Sequence, residues 1–260
     1  MSDVKIRDME SADEYFVGTC SHVNESNEID ACGKKRVSWL KRRRDDGLRA
    51  KVALVAGRPV GFLYTMPIEV CPWGPVGQEL MAMPCLYVLN RAAGKRVGRD
   101  MVGAAVEEAR GMDRKGLTTT AYYHDFWFMP ASYFEAIDFT TVKRRGNEAL
   151  MWRVIDEAAE PPDFLTRNYH FDRIPGKVVI DLFWNMFCTT SALEAERVRE
   201  VAAEFGNDVV LNEYPADDPD ILARYQIPRA IYINGKEVSW GYNAPRDGLR
   251  RAVSEAYRAG

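Results

Sequence analysis

Residues 86–102 read LYVLNRAAGKRVGRDMV, which is an apolar strand, a basic loop and the start of a helix. Apolar side chains recur at helical spacing over about 98–112: Met101, Val102, Ala105, Val106 and Ala109. A strand that feeds such a loop brings free backbone N–H groups and the positive end of the helix dipole to one point. Gly94 and Gly98 allow close backbone approach, and Lys95, Arg96 and Arg99 add positive charge. The stretch therefore predicts a phosphate or pyrophosphate site.

The composition is that of an ordinary globular chain. Of 260 residues, 47% are hydrophobic and 28% are charged, and the formal net charge is -3. This net charge gives no overall positive potential that would favour binding of nucleic acid. The basic run Lys41–Arg44 is followed directly by Asp45 and Asp46, which neutralise part of its charge. We therefore expect no nucleic acid partner.

The sequence also predicts a cytoplasmic protein without a membrane partner. The N-terminus MSDVKIRDMES has no basic head followed by an apolar stretch, and no run of about 18 apolar residues occurs. The five cysteines, at positions 20, 32, 71, 85 and 188, are scattered and odd in number, so reduced thiols and no metal site are expected.

The pattern around the opening stretch predicts alternating strands and helices. VKIRDM indicates a strand, and Ser11 with Glu14 indicates a capping box at a helix start. A second helix is predicted over 34–44, and a hairpin turn at Ala56-Gly57-Arg58-Pro59. The later segments are the strand LMAMPCLYVL, the helix at 98–112, the strand GLTTTAYYH, the short helix MPASYFEAI and the strand EALMWRVI.

Three stretches in this order, ALVAGRPVGFLYTMP, LYVLNRAAGKRVGRDMV and YFEAIDF, resemble the GNAT superfamily of N-acetyltransferases over roughly residues 3–155. The resemblance implies an α/β (α+β) fold with a mixed, mostly antiparallel sheet and flanking helices. It also implies acetyl-CoA as the acetyl donor. The backbone amides of Arg96, Val97, Gly98 and Arg99 would hold the pyrophosphate, and the strand edge formed by Leu86, Tyr87 and Val88 would pair with the pantetheine arm.

Two positions depart from the family pattern. An arginine, Arg96, stands where the family has its first loop glycine, and a left-handed backbone there costs about 1 kcal/mol relative to glycine. Phe134 stands where many members have a tyrosine, one position after Tyr133. Tyr133 is thus the nearest candidate for a proton donor.

Amine acetylation needs a base for the amine and a proton for the leaving thiolate. The first choice for the base is Glu79 and the second is Glu69, near the opening between the third and fourth strands, although strand-end carboxylates are also ordinary surface groups. An acceptor pocket is predicted from an aromatic and titratable cluster: Tyr122, Tyr123, His124, Asp125 and Trp127. Cys85 is interpreted as a buried structural thiol rather than a covalent acetyl carrier.

The C-terminal part has the order strand, helix, strand, helix, strand, strand, helix. FWNMFCTTS and IPRAIYING resemble the active-site and cis-proline segments of thioredoxin-like domains, at Cys188 and Pro228. Cys188 is followed by Thr189, Thr190 and Ser191, so the resolving cysteine of Cys-x-x-Cys is missing. Cys188 at a helix N-terminus favours thiolate, but the domain could equally have kept the fold and lost redox chemistry.

The proline-rich segment between residues 151 and 176 predicts a division of the chain into an acetyltransferase domain (1–157), a linker (158–175) and a thioredoxin-like domain (176–260). This combination resembles the YoaP-like arrangement. It predicts direct acetyl transfer to a small-molecule or peptide amine, with a homodimer as a further possibility. Two alternatives remain: a thiol-redox or thiol-sensing protein acting through Cys188, and a non-catalytic CoA-binding module.

Overall fold

The first of two sheets has seven strands in this computed structural model, which describes residues 4–20, 22–124, 128–241 and 244–259. In sheet order the strands are β1 (Val4–Asp8), β2 (Arg49–Val55), β3 (Arg58–Pro67), β4 (Leu80–Val88), β5 (Gly116–Tyr122), β7 (Glu148–Val154) and β6 (Thr140–Arg145). All neighbouring strands are antiparallel except β4 and β5, which are parallel. The predicted mixed, mostly antiparallel sheet is confirmed.

Between β1 and β6 along the described chain lie four α-helices: α1 (Glu14–Gly18), α2 (Asn27–Arg42), α3 (Val97–Gly111) and α4 (Ala131–Glu135). The predicted apolar face of α3 is buried, and it packs against the sheet: Val97, Met101, Val102, Ala105, Val106 and Ala109. Burial of each larger side chain of this kind is worth about 1.5–3 kcal/mol. The packing fixes where the first turn of α3 meets the end of β4.

The hairpin between β2 and β3 is confirmed. Its two-residue turn consists of Ala56 and Gly57, both with positive φ (50° and 74°). Such a turn follows the right-handed twist of the paired strands, which is why glycine is favoured in it. The turn sets the register of β3, and β3 in turn pairs with β4.

The second sheet is smaller and has the order β11-β10-β8-β9. Its strands are β8 (Val178–Trp184), β9 (Val209–Pro215), β10 (Ala230–Ile233) and β11 (Lys236–Val238), and its helices are α5 (Thr189–Glu204), α6 (Pro219–Tyr225) and α7 (Arg246–Ala259). β8 and β9 are parallel, whereas β10 is antiparallel to β8 and β11. The predicted order of strands and helices is therefore confirmed.

Two compact units divide the chain. One contains Met1–Val17 and Leu40–Leu165, and the other contains Gly18–Trp39 and Thr166–Gly260. Most of α2 thus groups with the C-terminal sheet, which no local pattern indicates. The predicted domain boundaries stay a prediction. Within the described ranges, no helix is both long and apolar enough to cross a membrane.

Three local predictions differ from the structure. The capping box at the first helical turn is formed by Glu10 and Asp13, not by Ser11 and Glu14. Helix α2 begins at Asn27, well before the predicted start. Strand β6 was not predicted, because its sequence TTVKRR is polar and mostly exposed, as suits a strand at the edge of a sheet.

Candidate functional site

Strands β4 and β5 pair only at their beginnings and then diverge. Their parallel register covers Leu80–Ala82 against Gly116–Thr118. Beyond this point β4 carries a bulge that contains Pro84, where the missing N–H costs no ladder hydrogen bond. At the branch point, the Thr119 hydroxyl donates to the Met83 carbonyl over 2.7 Å. Past its three-residue pairing with β5, this edge of β4 faces an opening in the sheet.

A groove of about 780 Å³ lies at the diverging end. One wall is Leu86–Val88 of β4, another is the loop that leads into α3, and the third is the segment Met129–Ile137. Its size falls within the range of sites for small molecules and cofactors. The Leu86 N–H faces the sulfur of Met129 at 3.4 Å, a weak contact that a better acceptor could replace.

The floor of the groove includes the N-terminus of α3. Arg96 precedes the helix in the left-handed conformation (φ 61°, ψ 10°). No side chain of the described residues caps this helix end, so the N–H groups of Val97, Gly98 and Arg99 lack an intrahelical acceptor. The Arg99 guanidinium donates to the Ala136 carbonyl over 2.8 Å, which ties the first turn to the groove wall.

Tyr133 projects into the same groove. Its hydroxyl is buried and has no hydrogen-bond partner in the described part of the chain. Burial raises its pKa to about 12, so the phenol is protonated at neutral pH. The neighbouring Phe134 is fully buried in the core, where its ring packs edge-on against Tyr133 and Phe139. Position 134 therefore supplies packing and no hydroxyl.

The structure brings most of the predicted binding residues together. The groove is lined by Leu86, Tyr87, Val88, Arg96, Val97, Gly98, Arg99 and Tyr133. Sequence reasoning missed the wall formed by Met129, Pro130, Ala136 and Ile137. The isolated bridge between Tyr122 and Pro130 holds this wall beside β5, and that pairing has no periodic signal in the sequence.

Glu69 and Glu79 lie between the end of β3 and the start of β4, as predicted, but away from this groove; their catalytic role stays a prediction. Glu79 precedes β4, and at about 3.3 Å per residue it is roughly 23 Å from Leu86 along the strand. Glu69 accepts from the Glu79 N–H (2.8 Å) and twice from Arg114 (3.0 Å), and Glu79 pairs with Lys115 (2.5 Å). Antiparallel β3 ends beside the start of β4, so both carboxylates lie at the far end of the sheet.

A narrow cavity of about 10 Å³ lies at the branch point of β4 and β5. Its walls include the Trp73–Pro75 loop, Pro84, Tyr122 and Phe128. The His124 ring stacks on Tyr122 with 5.2 Å between centroids. Of the cluster predicted to line an acceptor pocket, Tyr122 lines this cavity, whereas the Tyr123 hydroxyl contacts Glu135 and Thr141. Asp125 and Trp127 lie outside the described residues, and the acceptor pocket stays a prediction.

Cys188 is the N-cap residue of α5 in the second unit. Its backbone N–H donates to the Asn185 side chain over 2.9 Å, and its sulfur lies 3.2 Å from the Thr190 hydroxyl. Arg229 Nη1 is 3.9 Å from the sulfur, and its Nε donates to Glu194 over 2.7 Å. A half-buried thiol thus has a guanidinium beside it.

Pro228 lies next to the same loop, because its carbonyl accepts from the Asn185 side chain over 2.8 Å. No peptide bond in the described ranges is cis, so the bond before Pro228 is trans, unlike the cis bond that the resemblance implies. The residues on both sides of Cys188 are held by the N-terminal segment of this unit. Arg36 donates to the Phe187 carbonyl over 2.5 Å, and Thr189 donates to the Gly18 carbonyl over 2.9 Å.

No protein-family model and no curated protein matches the chain. The solved structures similar to it include a GNAT-family acetyltransferase from Staphylococcus aureus Mu50 (13% identity, 59% of this chain and 100% of that chain, TM-score 0.45). Another is PaiA N-acetyltransferase from Thermoplasma acidophilum in complex with coenzyme A (12% identity, 58% of this chain and 99% of that chain, TM-score 0.41). A third is ribosomal-protein-alanine N-acetyltransferase from Brucella melitensis (19% identity, 58% of this chain and 99% of that chain, TM-score 0.42).

Proposed function

We propose that the first unit is an acetyl-CoA-dependent N-acetyltransferase that transfers the acetyl group directly to an amine. One observation carries the proposal: the groove at the diverging ends of β4 and β5 opens onto the N-terminus of α3, beside the Tyr133 hydroxyl. Among the described residues, no side chain caps this helix end and none is hydrogen-bonded to that hydroxyl. A buried hydroxyl without a partner is costly, and a bound phosphate oxygen would satisfy it.

The residues present fit coenzyme A. The N–H groups of Val97, Gly98 and Arg99 would hold the pyrophosphate, where the dipole of α3 favours negative charge. The edge of Leu86–Val88 that lies beyond the pairing with β5 would bind the amides of the pantetheine arm. The thioester would then point along β4 toward the branch point.

The reaction is a substitution at the thioester carbonyl. The amine nitrogen forms a bond to the acetyl carbon, the C–S bond breaks, and the proton lost by the amine balances the one gained by the leaving thiolate. The aromatic walls at Trp73 and Tyr122 lie on the branch-point side, so we place the acceptor there. A small-molecule or peptide amine fits this reading.

Two substitutions at Arg96 test whether the loop before α3 binds the pyrophosphate. Arg96→Gly and Arg96→Pro both remove the guanidinium, but only proline removes the N–H and excludes a φ of 61°. Calorimetry should show acetyl-CoA binding retained in Arg96→Gly and lost in Arg96→Pro, with thermal melts confirming that both variants are folded. Equal binding by both variants, or none by the wild type, would overturn the proposal.

A thioredoxin-like unit with thiol chemistry at Cys188 is the second candidate function. The strand order of the second sheet and the Arg229 guanidinium beside the sulfur favour it. In this reading Cys188 forms mixed disulfides with a substrate disulfide, releasing one substrate thiol.

The variant Cys188→Ser separates the two functions. This variant should no longer react at position 188 with a small aromatic disulfide, but it should keep acetyl transfer. Cys20→Ser is the matched control. If acetyl transfer disappears in Cys188→Ser with the fold intact, the direct mechanism in the first unit is contradicted.

A further inference from the structure

The second unit contains a groove that neither proposed function uses. It has a volume of about 700 Å³ and lies between the turn that joins β10 to β11, residues 171–178 and the last turns of α7. Val178, which begins β8, lines it, whereas Cys188 follows the other end of β8. The groove and the thiol therefore lie at opposite ends of that strand.

Apolar side chains form the floor and one rim of this groove. Val238, Ala252 and Ala256 line it with small or branched groups. Ile174 and Tyr257 remain 38% and 56% exposed, although both are large and apolar. An apolar surface of this kind, concave and within reach of solvent, is where a ligand would gain from burial.

The charged groups of the lining are mostly positive. Among the described residues, the groove is lined by Arg173, Lys177, Lys236 and Glu255. The Lys177 ammonium donates to the Asn207 carbonyl, which fixes its position without neutralising its charge. Cationic side chains thus outnumber carboxylates in the described part of the lining, and Lys236 is exposed beside the apolar floor.

We propose that this groove binds a small amphipathic anion, namely an acyl or aryl chain that ends in a carboxylate. The volume falls within the range of small-molecule sites, and the chain would cover the apolar floor. The carboxylate would lie near Lys236, an exposed residue at the groove margin. The occupant is a free amphiphile rather than a bilayer or a second copy of the chain.

Dodecanoate is the probe, titrated into the full chain by calorimetry below its critical micelle concentration. Saturable binding of one molecule per chain is expected. Dodecyltrimethylammonium, which has the same tail and the opposite charge, should bind at least tenfold more weakly. Equal affinity for the two amphiphiles would overturn the proposal, and so would one molecule per two chains or binding only to anionic vesicles.

Two pairs of variants locate the site. Ala256→Trp fills the floor and should weaken dodecanoate binding at least tenfold, whereas Ala203→Trp, on the exposed side of α5, should not. Lys236→Glu should weaken binding threefold or more, and the exposed Lys34→Glu should leave it unchanged. If Ala256→Trp fails to fold, the comparison of Lys236→Glu with Lys34→Glu tests the proposal. Unchanged affinity in Lys236→Glu would contradict the proposed headgroup position.

Discussion

The ring of Tyr133 lies directly over Gly98, in the first turn of α3. A β-carbon at position 98 would be 3.1 Å from Tyr133 Cζ and closer still to the hydroxyl. Glycine is therefore required at 98 for packing as well as for access to the helix N-terminus. This relationship joins the binding loop and α4 into one wall of the groove.

Gly98→Ala should destabilise the protein by about 1–2 kcal/mol, because the tyrosine must move out of its packed position. Gly103→Ala, on the same helix with open space around it, should instead stabilise by about 0.5–1 kcal/mol. Denaturant unfolding measures both values. The loss in Gly98→Ala should shrink in a Tyr133→Phe background, and an undiminished loss would exclude the hydroxyl as its cause.

Tyr133→Phe should weaken acetyl-CoA binding about fivefold, the worth of one hydrogen bond, and leave kcat within twofold. The pKa near 12 keeps the phenol protonated, so no ionisation of Tyr133 should appear in the rate between pH 6 and 9. Steady-state kinetics measures kcat and its pH dependence, and calorimetry measures acetyl-CoA binding. A hundredfold fall in kcat would show instead that Tyr133 protonates the leaving thiolate.

Glu69→Gln and Glu79→Gln should each keep kcat/KM within about twofold, because both carboxylates lie at the far end of β3 and β4, in exposed ion pairs. Acetyl transfer to any accepted amine provides the measurement, with Arg114→Gln as a control for the ion pair itself. A large loss of kcat in either glutamine variant would restore the general-base role that the sequence suggested.

Arg96→Gly should raise the free energy of unfolding by about 1 kcal/mol, since a non-glycine residue at φ 61° is strained. Chemical denaturation would show a higher midpoint with an unchanged slope. If the midpoint does not rise, side-chain contacts of Arg96 must offset the backbone strain.

Glu28 should make the second unit sensitive to acid. Hydrogen bonds from Arg197 and Arg246 lower its pKa from 4.5 to about 2. Because the folded pKa is the lower one, the stabilisation is complete above pH 4.5 and is lost as the pH falls toward 2. The side chain is 36% exposed, so screening reduces the effect to about 1 kcal/mol. Glu28→Gln should lower the thermal midpoint much more at pH 7 than at pH 2.5, where only part of the stabilisation remains. Equal differences would contradict the linkage.

The sequence predicted features that depend on neighbours along the chain. The apolar period of α3, the turn at Ala56-Gly57 and the loop before Gly98 are local, so residue spacing and backbone chemistry suffice to predict them. The left-handed backbone of Arg96 was considered only because the family resemblance puts a glycine at that position. The edge strand β6 was not predicted, because its sequence TTVKRR does not alternate apolar and polar residues.

What the sequence by itself determined was the order of the elements apart from β6 and the residues of the groove floor, while the mixed sheet followed from the family resemblance. Only the tertiary structure decided that β4 and β5 diverge after Ala82, that Glu69 and Glu79 lie at the far end, and that residues 18–39 group with the second unit. The physical reason is that these features depend on strand register and on packing between residues distant in sequence. No local propensity encodes such pairings, and the folded chain selects them by the contacts they complete.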